Sequence, residues 1–269
     1  MGCGTSKGSA GKIKMTKTKL GSIDEFFDDV QGVIDEAYSL RDPIEDARDK
    51  LVQETDFEKV VCSNTHHAIV GTVFALSTLG TESDLAKLFD ITQDEPYVKI
   101  DTKHASGKLL KATDALTDYV KNIIKAKGKI EALVGKSQKM AEKAPEMPDK
   151  AKDSLSSASD LGAMDKIRAV KNTASNCKEL GKLPTLVKEI QLTVTNAIME
   201  LQAAGKELND NKAKMVTIRK KCLEKKSDSP KICYLACGTE IKNTPELKKE
   251  WEAYWKRRNG NKTTTIKKN

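Results

Sequence analysis

One apolar seam constrains this chain more than any other feature. Leu183, Val187, Ile190, Val194, Ala197, Leu201, Ala204, Leu208, Asn211, Met215, Ile218 and Cys222 recur in alternating steps of four and three. That spacing keeps a single face of an α-helix turned toward a partner helix. At 1.5 Å per residue, about 42 residues make a helix roughly 63 Å long, far beyond an ordinary globular helix. Ala197, Ala204 and Asn211 occupy the second core position of successive heptads. Small residues there permit close helix approach, and Asn211 is expected to pin register at a cost in stability.

The rest of the chain reads in the same way. A first helix is expected from about Ile23 to Leu40. Asp42-Pro43-Ile44-Glu45 supplies an N-cap, a first-turn proline and a capping-box glutamate, so a second helix is expected from Pro43 to about Leu79, stopped by Gly80. A short helix at about 83–89 and a loop with Asp94-Glu95-Pro96 follow. A long helix is expected from about Thr102 to Lys143, with Leu109, Thr113, Leu116, Val120, Ile123, Lys127, Ile130, Val134, Ser137 and Ala141 as its seam. Pro145 and Pro148 end it. A further helix, about Lys150 to Leu180, carries the seam Leu155, Leu161, Met164, Ile167, Val170, Ala174 and Cys177. Beyond a Ser-Asp-Ser-Pro linker lie a short helix with Cys233 and Cys237 and a last helix to about Arg258. No segment reads as a strand. Aromatic residues make up 4% of the chain and charged residues 32%, a composition that suits narrow helical seams. The expected fold is all-α, an elongated bundle of long antiparallel, coiled-coil-like helices. Its expected divisions are a disordered, lipidated, basic tail (1–21), the long-helix bundle (22–226), short helices docked on or flanking it (227–258) and a disordered basic tail (259–269).

The N-terminus carries the most specific functional signal. Gly2 follows Met1 and Ser6 stands four residues further on, matching the N-myristoylation pattern. Cys3 is placed for a palmitoyl chain, and Lys7, Lys12, Lys14, Lys17 and Lys19 precede the first acidic residue, Asp24. A single myristoyl chain binds membranes marginally, so stable anchoring takes a second acyl chain or a polybasic patch. Each lysine near an anionic leaflet adds about 1 kcal/mol. Residues 1–19 resemble the acylated starts of Src-family kinases and G-protein α subunits, and the resemblance implies attachment to the cytoplasmic face of a cellular membrane, the plasma membrane first. It ends there, because no kinase or GTPase motif follows.

Charge is unevenly spread. Residues 22–58 hold 13 acidic and 3 basic side chains, whereas residues 206–269 hold 18 basic and 8 acidic. Opposite ends of this kind pair within a chain, pair between subunits, or form solvated faces. Catalytic motifs are missing: there is no nucleophile elbow, P-loop, dinucleotide fingerprint or zinc-protease pattern. His66 and His67 are adjacent and face different sides of a helix. Cys222, Cys233 and Cys237 make an incomplete zinc set. On the cytosolic side Cys62, Cys177, Cys222, Cys233 and Cys237 are expected as free thiols. No catalytic residue, metal, cofactor, small-molecule substrate or nucleic-acid partner is expected.

Two further segments are candidates for membranes or partners. Trp251, Tyr254 and Trp255 share one helical face beside Arg257 and Arg258, a combination suited either to a headgroup interface or to docking on the bundle. The run from Ala68 to Leu79 is apolar nearly all round, with Ile69, Val70, Val73, Phe74 and Leu76 at its centre. It is too short to span a bilayer, which takes about 20 residues. In layout, long helices around one concealed apolar stretch resemble the helical pore-forming toxins of the cytolysin A type and the apolipoprotein L family. Three long helices with basic surfaces also resemble a BAR-type curvature module. The expected role is that of a non-enzymatic, lipid-anchored peripheral membrane protein. It would scaffold partners or shape the bilayer, meeting an anionic surface and associating with itself or a protein partner through its heptad seams. The alternative is a membrane-inserting, pore-forming protein that uses residues 68–79.

Overall fold

A computed structural model describes residues 13–57, 64–77 and 107–211, and beyond these positions 214, 217, 220, 224, 229–231, 233 and 234. Among the described residues the fold is all-α, a helical bundle with no strand. The helices are α1 (Gly21–Glu54), α2 (Asn64–Ser77), α3 (Gly107–Lys143), a 3-10 turn (Ala144–Glu146), α4 (Met147–Ser157), α5 (Ala163–Leu180) and α6 (Leu183–Asp210). The chain divides into two compact units, Met1–Pro43 with Lys125–Thr193 and Ile44–Ile124 with Val194–Asn269. Helices α1, α3 and α6 each contribute a length to both.

The α6 seam is buried at every position from Leu183 to Ala204. Fully burying a leucine, isoleucine or valine contributes about 1.5–3 kcal/mol, so this face outweighs any local helix propensity. Asn211 is buried as well, but its side-chain amide donates to the Glu207 carbonyl oxygen one turn back, at 2.7 Å. It caps its own helix rather than bonding across the seam as expected. Met215, Ile218 and Cys222 lie outside the described residues. On α3, Leu109, Thr113, Leu116, Val120, Ile123, Ile130 and Ser137 are buried, while Lys127 is exposed. Ala112, Ala115, Tyr119, Ala126 and Leu133 join them, so the buried face is wider than one heptad seam.

The structure departs from the sequence reading in three places. First, α1 runs through Pro43 instead of restarting there. A mid-helix proline loses a hydrogen bond and crowds the carbonyl four residues back, at a cost of about 3 kcal/mol. Ala37, Leu40, Ile44, Ala47 and Leu51 continue one buried stripe past it, and that burial outweighs the cost. Second, Pro145 and Pro148 do not break the helical path. Each sits in a first turn, of the 3-10 turn and of α4, where a missing N–H costs nothing. The break falls instead at 158–162, in Ala-Ser-Asp-Leu-Gly. Ala158 leaves the helical region, and Gly162 is extended where it precedes α5.

The third departure concerns which face of α5 is covered. The expected seam is turned outward: Met164, Ile167 and Val170 are 65%, 62% and 50% exposed. Ala169, Thr173, Asn176 and Leu180 are the buried residues. At 3.6 residues per turn the two sets lie roughly 150° apart around the helix. The first unit has its core where Leu20, Ile23 and Phe27 meet Met147, Ala151 and Ala169, edged by Met15, Phe26, Leu155, Leu161 and Cys177.

In the second unit, a close backbone approach fixes one glycine. A Cβ at Gly71 on α2 would stand 2.6 Å from the Pro230 carbonyl oxygen and 3.2 Å from the Phe57 ring. Gly128, inside α3, has open space around it. Gly71→Ala is therefore expected to lower stability by at least about 2 kcal/mol through overpacking. Gly128→Ala should raise it by about 0.5–1 kcal/mol. Urea unfolding of the two variants checks both signs.

Candidate functional site

The candidate site is built at the N-terminal end of the described chain. By composition, residues 13–20 belong to a disordered tail. They form instead an extended strap laid along α5 in the opposite direction. The Asn176 side chain takes both backbone groups of Thr16: the Thr16 N–H donates to its Oδ1 at 2.9 Å, and its Nδ2 donates to the Thr16 carbonyl oxygen at 2.7 Å. One turn earlier on α5, the Asn172 amide donates to the Lys17 carbonyl oxygen at 2.7 Å. The strap also reaches α1, through the Met15 N–H to Gln31 Oε1 at 2.8 Å and the Ile13 N–H to the Tyr38 hydroxyl oxygen at 3.3 Å. Asp24 reaches back to accept from the Thr18 N–H at 2.6 Å, the Thr18 hydroxyl at 2.8 Å and the Lys19 N–H at 3.0 Å. Lys19 takes a left-handed backbone (φ 67°) to make this turn. Ile13, Thr18 and Leu20 are buried.

Composition misleads here because side-chain amides and a carboxylate bind the backbone of this strap, while Ile13 and Leu20 are buried and Met15 packs against the core. The legible signal was the pair Asn172 and Asn176, an i, i+4 pair of amides on one helix face.

The lysines expected to meet a membrane are unevenly placed. Lys14 is exposed. Lys17 pairs with Asp28 at 2.7 Å, a hydrogen bond that raises the pKa of its ammonium, and Lys19 pairs with Asp165 at 3.0 Å. Gly2, Cys3, Lys7 and Lys12 lie outside the described residues, as do Trp251, Tyr254, Trp255, Arg257 and Arg258. The described part of the apolar run, residues 68–77, lies in α2, and Ile69, Val70, Val73, Phe74 and Leu76 are all buried. No helix among the described residues is long and apolar enough to cross a membrane.

The second unit contains a polar cluster that the sequence reading missed. Glu200 and Glu207, one heptad apart beside the α6 seam, are both buried. The Tyr119 hydroxyl of α3 donates to Glu200 Oε2 at 2.8 Å, and His66 Nε2 of α2 donates to Glu207 Oε2. Burial works against the Arg48 charge, but Asp49, Tyr119 and Glu200 more than offset it and raise its pKa. His67 packs against Tyr234, with ring centroids 4.7 Å apart, and against Phe57 at 6.0 Å. Burial, helped by neighbouring His66 and opposed by Glu207, lowers the His67 pKa from 6.5 to about 4. Burial and Glu207 push the Tyr234 hydroxyl up. Among the described residues no group of three or more histidine, cysteine or acidic side chains gathers to hold a metal ion, and Cys177 and Cys233 are free thiols. The signal that could have revealed the cluster is the seven-residue spacing of Glu200 and Glu207 inside an apolar helix face.

No family model, no curated protein and no solved structure matches this chain.

Two outcomes follow from this geometry. Asn176→Ala removes both bonds to Thr16 and is expected to cost about 2 kcal/mol. Trypsin should then cut after Lys17 and Lys19 faster than in the wild type. Unfolding gives His67 its ordinary pKa of 6.5, so the unfolded chain binds more protons between pH 6.5 and about 4. Stability conferred by a neutral His67 is therefore complete above pH 6.5 and drains away as pH falls toward 4. His67→Phe should reduce that acid-side loss by up to about 3 kcal/mol, read from paired denaturation curves across the window.

Proposed function

We propose that the protein is a non-enzymatic, lipid-anchored peripheral membrane protein, with Gly2 and Cys3 as acyl acceptors and a helical body that presents interaction surfaces at the cytoplasmic face. The observation that carries this reading is the strap. Six residues after the acylation pattern of residues 2–6, the chain is hydrogen-bonded along α5 and α1. An anchor joined to the body through such a strap passes its position to the helices, whereas a long flexible tether would leave them free to tumble. The basic residues reinforce the anchor electrostatically, with exposed Lys14 uncommitted to any ion pair among the described residues. Scaffolding through exposed helix faces is the work assigned to the body, and the reading gives the chain no reaction to catalyse.

The pore-forming alternative would require α2 to leave its place. Its central residues are buried, so insertion would expose the second unit's core before any lipid contact repaid it. The anchored reading needs no such opening.

In cells, wild-type protein is expected in the membrane fraction. Gly2→Ala should move most of it to the soluble fraction, and Cys3→Ser should give a weaker, salt-sensitive attachment, since one myristoyl chain alone holds with K of about 10⁴ M⁻¹. Wild-type protein found in the soluble fraction would overturn the proposal.

A further inference from the structure

The outward-facing stripe of α5 combines two features that rarely share an exposed helix face. Met164, Ile167 and Val170 are each at least half exposed, and Arg168, Lys171 and Lys178 are exposed on the same half of the helix. At 100° per residue, Lys171 and Lys178 project within the stripe itself and Arg168 along one margin. The acidic side chains of α5 do not neutralise them. Asp165 is paired with Lys19, and Glu179 with Lys182 at 2.6 Å, whereas Arg168, Lys171 and Lys178 form no ion pair among the described residues. The face is therefore apolar and net positive at once.

A soluble helix hides its best apolar seam. Here three large aliphatic side chains are outside, and a face of Ala169, Thr173, Asn176 and Leu180 is inside. The strap takes the amides of Asn172 and Asn176, and Ala169 packs with Leu20, Ile23, Phe27, Met147 and Ala151. The outer face is left with large aliphatic groups and cations, the composition of a helix that lies in a lipid headgroup layer. The strap adds position: it runs along this same helix, and in sequence only residues 7–12 separate it from the acylation pattern.

We infer that the Met164–Ile167–Val170 face of α5, with Arg168, Lys171 and Lys178, is a second membrane contact that docks on anionic lipid. This inference rests on the lipid-anchored reading and gives the anchored body an orientation. The cations draw the face to phosphate and carboxylate headgroups. The three aliphatic side chains then enter the boundary with the acyl chains. With the anchor already in the bilayer, the contact forms within one molecule at high effective concentration, so a modest intrinsic affinity is sufficient.

The test uses full-length protein without acylation, made as Gly2→Ala, and vesicles of phosphatidylcholine with or without phosphatidylserine. The unacylated chain should sediment with phosphatidylserine vesicles and not with pure phosphatidylcholine. Ile167→Asp should lower the partition coefficient about tenfold or more. Gln138→Asp, a charge-matched change at an exposed site on α3, should leave it unchanged. Equal thermal midpoints for the two variants establish that both are folded. Binding by Ile167→Asp equal to that of Gln138→Asp overturns the inference, as does binding that ignores phosphatidylserine. A wild-type dimer that Ile167→Asp dissolves would also overturn it, by giving the face to a second copy of the chain. These outcomes are independent of whether acylated wild type fractionates with membranes in cells, which decides the anchored reading alone.

Discussion

Two glutamates set one heptad apart govern the interior of the second unit. Taking a carboxylate out of water costs several kcal/mol unless a donor meets it in good geometry. Glu200 and Glu207 are both buried, and each is met by a donor from a different helix, Tyr119 of α3 and His66 of α2. Apolar packing alone is permissive, since leucines and valines slide past one another at modest cost. A one-turn shift of α6 would strand both carboxylates without donors. The seam thus supplies most of the stabilisation, and the glutamates choose a single register from those the seam allows. Asn211, the residue whose position suggested that role, spends its amide on its own helix instead.

In the first unit the same accounting is done with backbone groups. An extended strap has no ladder of its own, so every buried N–H and C=O must find a partner elsewhere. Asn172, Asn176, Gln31, Asp24 and Tyr38 supply those partners. Five polar side chains from two helices are thereby committed to holding eight residues. On α5 the buried face accordingly includes an amide, Asn176, beside Ala169, Thr173 and Leu180.

The parts of the fold that were legible in the sequence are those where burial alone decides. The α6 seam as far as Ala204 and most of the α3 seam follow directly from apolar spacing, and these residues are buried. Pro43 misled because its local signal, a capping box with a first-turn proline, is sound for an isolated helix. A buried stripe continuing through Leu40, Ile44, Ala47 and Leu51 overrides it. The α5 register was misread for a related reason: apolar periodicity reports which face could be buried, not which face is. Where a partner is a backbone strap, amide side chains meet its polar groups and aliphatic ones cannot. Glu200 and Glu207 escaped notice because a charged residue beside a seam usually lies in solvent, and only the placement of Tyr119 and His66 makes these two exceptions.

The strap bears on the energetics of the proposed anchoring as well. A single acyl chain binds marginally because each dissociation returns the whole molecule to solution. Two weak contacts on one body behave differently if their separation is fixed, since loss of either leaves the other to recapture it. A flexible linker dilutes that advantage as its length grows. Here residues 13–20 are fixed to α5, and the path from the acylation sequence to the described body is no longer than residues 2–12. The tighter the strap, the more nearly acyl chain and helix face act as one ligand for the bilayer. Under the proposed anchoring, the stability of the strap and the strength of membrane attachment would be linked quantities, through the amides of Asn172 and Asn176 that hold the strap.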